Sequence, residues 1–235
     1  MIPWNQLSST KIPGEAVELR LMQRGTEFSI MLGSNELMNS RVSGSEQALA
    51  NLACSRILDR PQPQILIGGL GMGFTLRAAL SDVGEDAGII VAELLPSVVA
   101  WARGPMAELF GGCLDDPRVS LREMDVGRLI ESQRASYDAI LLDVDNGPDG
   151  LTRQANDGLY NHKGLSAART ALRPGGVLAV WSSGPDKDFT ARLGQSGFAV
   201  EEHKVRARGT RGGARHVIWL ATNPGPSAPK LAHAH

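Results

Sequence analysis

The apolar run Ile65-Leu66-Ile67 breaks into Gly68-Gly69-Leu70-Gly71-Met72-Gly73. Glycines let a backbone pass close to a ligand and take positive φ. Glu93 follows Gly73 by 20 residues and ends Gly88-Ile89-Ile90-Val91-Ala92. A carboxylate there can accept from both hydroxyls of a ribose. Asp125 can accept from an adenine amino group, while the backbone N–H of Val126 faces a ring nitrogen. Asp143 closes Tyr137-Asp138-Ala139-Ile140-Leu141-Leu142, near where the reacting end of such a ligand would lie. The candidate cofactor-binding set is therefore Gly69, Gly71, Gly73, Glu93, Leu94, Asp125, Val126 and Asp143.

Taken singly, each signal is weak. A strand-ending Asp often only caps a helix or forms a turn, and a glycine turn alone is a poor fingerprint. Their placement on four successive strand ends is what points to an adenosine-containing cofactor. In open α/β sheets ligands bind outside the carboxyl ends of the strands, where strand order reverses.

The elements that must position these residues follow from periodicity. Val17–Leu21, Phe28–Leu32 and Glu36–Met38 alternate apolar and polar residues around turn signals, which predicts a small antiparallel sheet. Ser43 or Ser45 caps a helix over about 46–58. Strands at 65–67, 88–92, 119–121, 137–142 and 177–181 then alternate with helices at 74–80, 96–109, 126–133, 165–172 and 186–195. Strands at 199–206 and 216–221 form a closing hairpin. The expected fold is α/β and Rossmann-like, with a mostly parallel seven-stranded sheet, a C-terminal antiparallel hairpin and a small N-terminal β-sheet. The expected organisation is an N-terminal β region over 1–43, a catalytic domain over 44–222 and a disordered tail over 223–235.

Composition excludes several classes. The 235 residues carry a formal net charge of −1, which gives no electrostatic footprint for nucleic acid. No apolar stretch approaches the roughly 20 residues that span a bilayer, and the N-terminus does not read as a signal peptide. Two cysteines make neither a disulfide scaffold nor a zinc site, so a cytoplasmic setting and no metal are expected. Four arginines in the turn 206–215 read as a solvated hairpin tip, and His233 and His235 as part of a solvated tail.

Between adenosine cofactors, a nicotinamide dinucleotide has no need of Asp125, and no hydride-transfer constellation follows. An adenosyl sulfonium suits the set better. The chain resembles the class I S-adenosylmethionine-dependent methyltransferase fold and, more narrowly, the spermidine synthase (aminopropyltransferase) family. The stretches that carry the likeness are ILIGGLGMGFTLRAAL, VAELLPSVVAWAR, DPRVSLREMDVGRLI, YDAILLDVDNGP and LYNHKGLSAARTALRPGGVLAV. The resemblance implies that Gly69, Gly71 and Gly73 line the methionine side, Glu93 holds ribose and Asp125 holds adenine. It also implies a homodimer.

Two departures bear on chemistry. The family's glycine turn reads GGGDGG, and here Gly71 stands at the Asp position. Losing that anion favours intact S-adenosylmethionine over its decarboxylated form. The family's Tyr-His-Glu run is Gly44-Ser45-Glu46. The expectation is thus methyl transfer to a small-molecule acceptor (amine, hydroxyl or acid), with neither nucleic acid nor membrane as partner. The alternatives are aminopropyl transfer from decarboxylated S-adenosylmethionine to a polyamine, and a non-catalytic ligand-binding relative. Asp143 is the expected general base, with Asp145 second and Tyr160 as a further catalytic candidate. His162, Trp181 and Trp4 stand near the reacting end as weaker candidates.

Overall fold

The computed structural model describes residues 2–12, 17–144 and 158–225. Four strands, β1 (Asn5–Lys11), β2 (Glu18–Arg24), β3 (Glu27–Leu32) and β4 (Asn35–Asn39), form an antiparallel sheet in sequential order. Helix α1 (Gly44–Cys54) leads from it into the main layer. There β5 (Gln64–Gly68), β6 (Gly88–Glu93), β7 (Val119–Glu123), β8 (Tyr137–Leu142), β9 (Leu172–Ser182), β10 (Ala199–Arg206) and β11 (Arg215–Thr222) make a seven-stranded sheet. Its order is β10-β11-β9-β8-β5-β6-β7. Strands β5 to β9 pair in parallel, and β11 and β10 pair antiparallel at one edge. The expected fold class is the observed one.

Helices α2 (Phe74–Asp82), α3 (Pro96–Arg103), α4 (Ala107–Phe110), α5 (Val126–Glu131), α6 (His162–Ala171) and α7 (Lys187–Gln195) connect the strands. Buried residues fall into two apolar clusters, one on each face of the sheet. Every residue of β8 is buried, as a strand covered on both faces must be.

Three local expectations change. The single helix expected over 96–109 is two, because Pro105 lacks an N–H and disfavours helical backbone at Gly104. Strand β1 has no apolar alternation to announce it: Asn5-Gln6-Leu7-Ser8-Ser9-Thr10-Lys11 is an edge strand whose side chains are mostly exposed. At the other end, Asn223 belongs to the folded body. It is buried, and its side-chain amide donates to the carbonyls of Arg169 and Leu172. Gly225 is also buried, its N–H donating to Asn223 Oδ1 at 3.1 Å, and residues 226–235 of the expected tail lie outside the described residues.

The switch in strand order falls at β5, which pairs with β6 on one side and β8 on the other. Asp138 fixes the far ends of β5 and β8 relative to each other. It is 1% exposed and accepts from Arg60 Nη1 and Arg173 Nη1, both at 2.7 Å, and from the backbone N–H of Gln64 at 2.8 Å. Removing one partner of a buried ion pair leaves the others uncompensated. Asp138→Ala should therefore lower the unfolding free energy by about 3 kcal/mol in urea denaturation, with the slope unchanged.

Candidate active site

The carboxyl ends of β5, β6 and β8 converge beneath the N-terminal sheet. Register carries the pairing to the tips: Asp143 N–H donates to Gly68 O at 3.0 Å, and Gly69 N–H to Ala92 O at 2.9 Å. Gly69 has φ +89°, and a Cβ there would stand 2.6 Å from the Asp143 carbonyl oxygen. Only a glycine lets the two strand ends come this close.

An open cleft with about 880 Å³ of empty space, its mouth included, lies against these ends. Gly69, Gly71, Glu93, Leu94, Asp125, Val126 and Asp143 line it, so seven of the eight expected cofactor-binding positions meet at one surface. Ile12, Leu19, Ile30, Leu37 and Met38 supply an apolar wall from the N-terminal sheet and its flank. A second cavity of about 640 Å³ is lined by Leu37, Met38, Glu46, Leu70, Gly71, Met72, Phe74, Asp143 and Trp181. The two share Leu37, Met38, Gly71 and Asp143, so they adjoin at Asp143.

Gly73 is the expected position that lies elsewhere. It precedes α2, and a Cβ there would stand 2.5 Å from the Phe110 ring, so this glycine serves helix packing. Tyr160 is buried in the second apolar cluster, its ring edge-on to Phe189 at 5.6 Å between centroids. It is not among the residues lining either cavity. Asp145 lies outside the described residues. His162 is at the surface, with Nδ1 3.3 Å from Ser196 Oγ. Trp4 stacks beneath Arg24 on the N-terminal sheet.

Each acidic residue has protein partners of its own. Glu93, 8% exposed, accepts from Leu70 N–H at 3.0 Å through Oε2 and from Leu95 N–H at 2.9 Å through Oε1. It thereby ties the glycine turn to the start of α3. Burial raises its pKa, and those backbone donors oppose the rise. Asp125 caps α5, its Oδ1 accepting from Arg128 N–H at 3.0 Å. The capping role and the place on the cleft coexist.

Asp143 Oδ2 accepts from Thr75 Oγ1 at 2.6 Å. Burial pushes the Asp143 carboxyl up to about 7, the nearby charge of Glu46 adds to this, and Thr75 opposes it. Burial raises Glu46 as well, against a hydrogen bond from Ser45. Two carboxylates sharing a cavity resist joint ionisation. Among the described residues lining the two cavities there is no Lys, Arg or His to balance them.

Sequence reasoning placed Asp143 but passed over Thr75 and Met38, and took Glu46 only as the retained Glu of the family's Tyr-His-Glu run. Thr75 lies two residues past the glycine turn, a usable hint. Met38 carried no chemical signal. Trp181 does line the second cavity, stacked on His216 with centroids 4.8 Å apart.

The fold defines a class I methyltransferase-like protein with an open cleft at its switch point. No family model matches the chain. It is 34% identical over 159 residues to polyamine aminopropyltransferase 2 of Pseudomonas aeruginosa, covering 63% of this chain and 43% of that protein. It is 33% identical over 128 residues to a polyamine aminopropyltransferase of Korarchaeum cryptofilum, covering 54% and 37%. The chain thus spans less than half the length of these relatives. Spermidine synthase from Thermotoga maritima superposes with a TM-score of 0.73 at 17% identity, covering 93% of this chain and 72% of that one. A probable spermidine synthase from Corynebacterium glutamicum superposes at 0.64 and 16% identity, covering 97% and 83%. In sequence and fold the chain is spermidine synthase-like.

This overturns the expectation of a methyltransferase using intact S-adenosylmethionine, since the relatives are aminopropyltransferases. The error lay in reading Gly71 as a vacancy. Gly71 has φ +49°, and a Cβ there would approach Met38 Sδ to 3.1 Å. Turn geometry and packing account for that glycine, and it carries no information about a ligand carboxylate.

The Asp143 carboxyl has a pH consequence. With its folded-state value at about 7, against 3.8 ordinarily, the folded protein holds a proton here that the unfolded chain has released. This contribution to stability is full below the ordinary value and is lost as pH rises through about 7. Asp143→Asn removes the buried charge. The ligand-free variant should melt above wild type at pH 8, by about 2–4 °C for each kcal/mol relieved. The difference should vanish near pH 4, as read by differential scanning fluorimetry.

Proposed function

We propose that this chain transfers an aminopropyl group from decarboxylated S-adenosylmethionine to an amine acceptor, as its spermidine synthase-like relatives are named for doing. One observation carries the choice of donor. The adjoining cavities present Glu46, Glu93, Asp125 and Asp143 and, among the described residues, no cationic side chain. A ligand ending in a carboxylate would meet only like charge there. A ligand carrying a sulfonium and an ammonium, with no carboxylate, complements it.

In this reading the larger cleft takes the adenosine portion. Glu93 accepts from ribose hydroxyls, Asp125 and the Val126 N–H face the adenine edge, and Leu94 packs against the ring. The acceptor amine enters the second cavity between Trp181 and Leu70 and approaches the junction at Asp143. A sulfonium is already activated, so alignment and exclusion of water do most of the work. The amine must be neutral to attack. Asp143, held by Thr75 and with its acidity near the working pH, takes its proton. The new nitrogen–carbon bond forms as the carbon–sulfur bond breaks, and the electron pair returns to sulfur as a neutral thioether. The homodimer implied by the resemblance and the cytoplasmic setting expected from the cysteine count belong to the same proposal.

Calorimetric titration tests the donor: the decarboxylated sulfonium should bind at least about tenfold more tightly than S-adenosylmethionine, a difference of about 1.4 kcal/mol. Tighter binding of the intact form would refute the assignment. Asp143→Asn should lower kcat by about 10²- to 10⁴-fold, the span of a general base, a larger effect than its loss of donor affinity. Unchanged turnover in that variant would remove Asp143 from the proton transfer.

A further inference from the structure

The arginine-bearing hairpin turn, read from sequence as a solvated tip, sits on the first turn of α1. Gly44 N–H donates to Ala207 O at 2.8 Å. A Cβ on Gly44 would stand 2.5 Å from Gly209 N and 2.9 Å from Ala207 O. The hairpin backbone thus lies directly on Gly44, and any larger residue would push it off. The contact also gives one of the helix's otherwise unpaired N–H groups a partner. No side chain does this for α1, since the Ser43 hydroxyl accepts from the Gln47 side chain instead.

The next two residues turn this contact toward the site. Ser45 is 2% exposed, and its hydroxyl donates to Glu46 Oε2 at 2.7 Å. Glu46 lines the second cavity together with Asp143 and Trp181. The remainder of α1 is anchored by buried Leu49, Ala50, Ala53 and Cys54. The helix axis is therefore set by the core and its first turn by the hairpin. The Glu46 carboxylate is held by the Ser45 hydroxyl and by its own backbone N–H.

We propose that Ser45, locked in place by the docking of turn 207–213 on Gly44, is a positioning residue that fixes the Glu46 carboxylate for the charged end of the amine acceptor. It rests on the aminopropyl-transfer reading for the identity of the acceptor. The Gly44-Ser45-Glu46 run is a unit: Gly44 receives the hairpin, Ser45 orients, and Glu46 pairs with the ammonium. Ser45 itself touches no substrate. A partly buried carboxylate restrained by a neighbouring hydroxyl makes a better ion-pair partner than one that must first be ordered.

Steady-state kinetics with decarboxylated S-adenosylmethionine and 1,4-diaminobutane tests this. Ser45→Ala should raise the acceptor KM about tenfold, equivalent to about 1.4 kcal/mol, with kcat and donor KM unchanged. Ser45→Thr, which keeps the hydroxyl, should restore wild-type values. Gly44→Ala should move the acceptor KM in the same direction as Ser45→Ala. A merely structural role would shift both KM values or neither, and either result overturns the proposal, as does failure of threonine to rescue. Wild-type turnover with an unmoved Ser45→Ala variant refutes this inference alone. Absence of wild-type turnover refutes the functional reading. The same comparison is then read as the dissociation constant of 1,4-diaminobutane on protein saturated with 5′-methylthioadenosine. No difference between wild type and Ser45→Ala there, or no binding to either, refutes the positioning role.

Discussion

The Asp143 and Glu46 carboxyl groups face one another's field in a site whose described lining offers no counter-charge. Desolvation alone opposes ionising Asp143, and the second acid adds to it. In a typical protein such a pair would be neutralised by an arginine or lysine, as Asp138 is at the opposite end of the same strand. The contrast within β8 is informative. At the strand's start, an acid with two guanidinium partners fastens the sheet. At its end, an acid has no cationic partner among the described residues that line its cavities. In the proposed reading a cationic ligand supplies for Asp143 what Arg60 and Arg173 supply for Asp138.

Everything around that pair is arranged to hold it in place. Parallel pairing of β5 with β6 and β8 brings the glycine turn, Glu93 and Asp143 to one rim. Gly69 allows the β8 end to approach within reach, and Thr75, in the first turn of α2, orients the Asp143 carboxylate. Glu93 bridges the glycine turn and α3 through two backbone amides, so the wall opposite Asp143 is equally fixed. The N-terminal sheet closes the cleft with apolar side chains. These lower the local dielectric and strengthen every charge interaction within.

The main sheet was legible in the sequence because its strands are short, buried and separated by strong turn signals. The acidic positions could be read from their offsets past those strands. What escaped notice has physical reasons. Strand β1 is a polar edge with one covered flank, so it lacks the alternation that betrays a half-buried strand. The break between α3 and α4 was written as Gly104-Pro105, but the apolar spacing on either side concealed it. Tyr160 has the chemistry of a catalytic residue and an address near the right loop. Only the third dimension shows that its ring packs edge-on against Phe189. Ser45 looked like a helix cap and proved to be a buried donor to a neighbouring carboxylate.

Gly71 shows how far a single substitution can mislead. An aspartate replaced by glycine can signal a lost electrostatic interaction, or a backbone that has moved into a left-handed turn where only glycine is comfortable. The first reading concerns the ligand, the second the fold. Here positive φ and the Met38 sulfur decide for the second. The charge that the turn lacks is not missing from the site, because Glu46 and Asp143 stand across the same junction. In the proposed reading the summed field of the cavity, and not one residue of the glycine turn, sets the charge of the ligand it accepts.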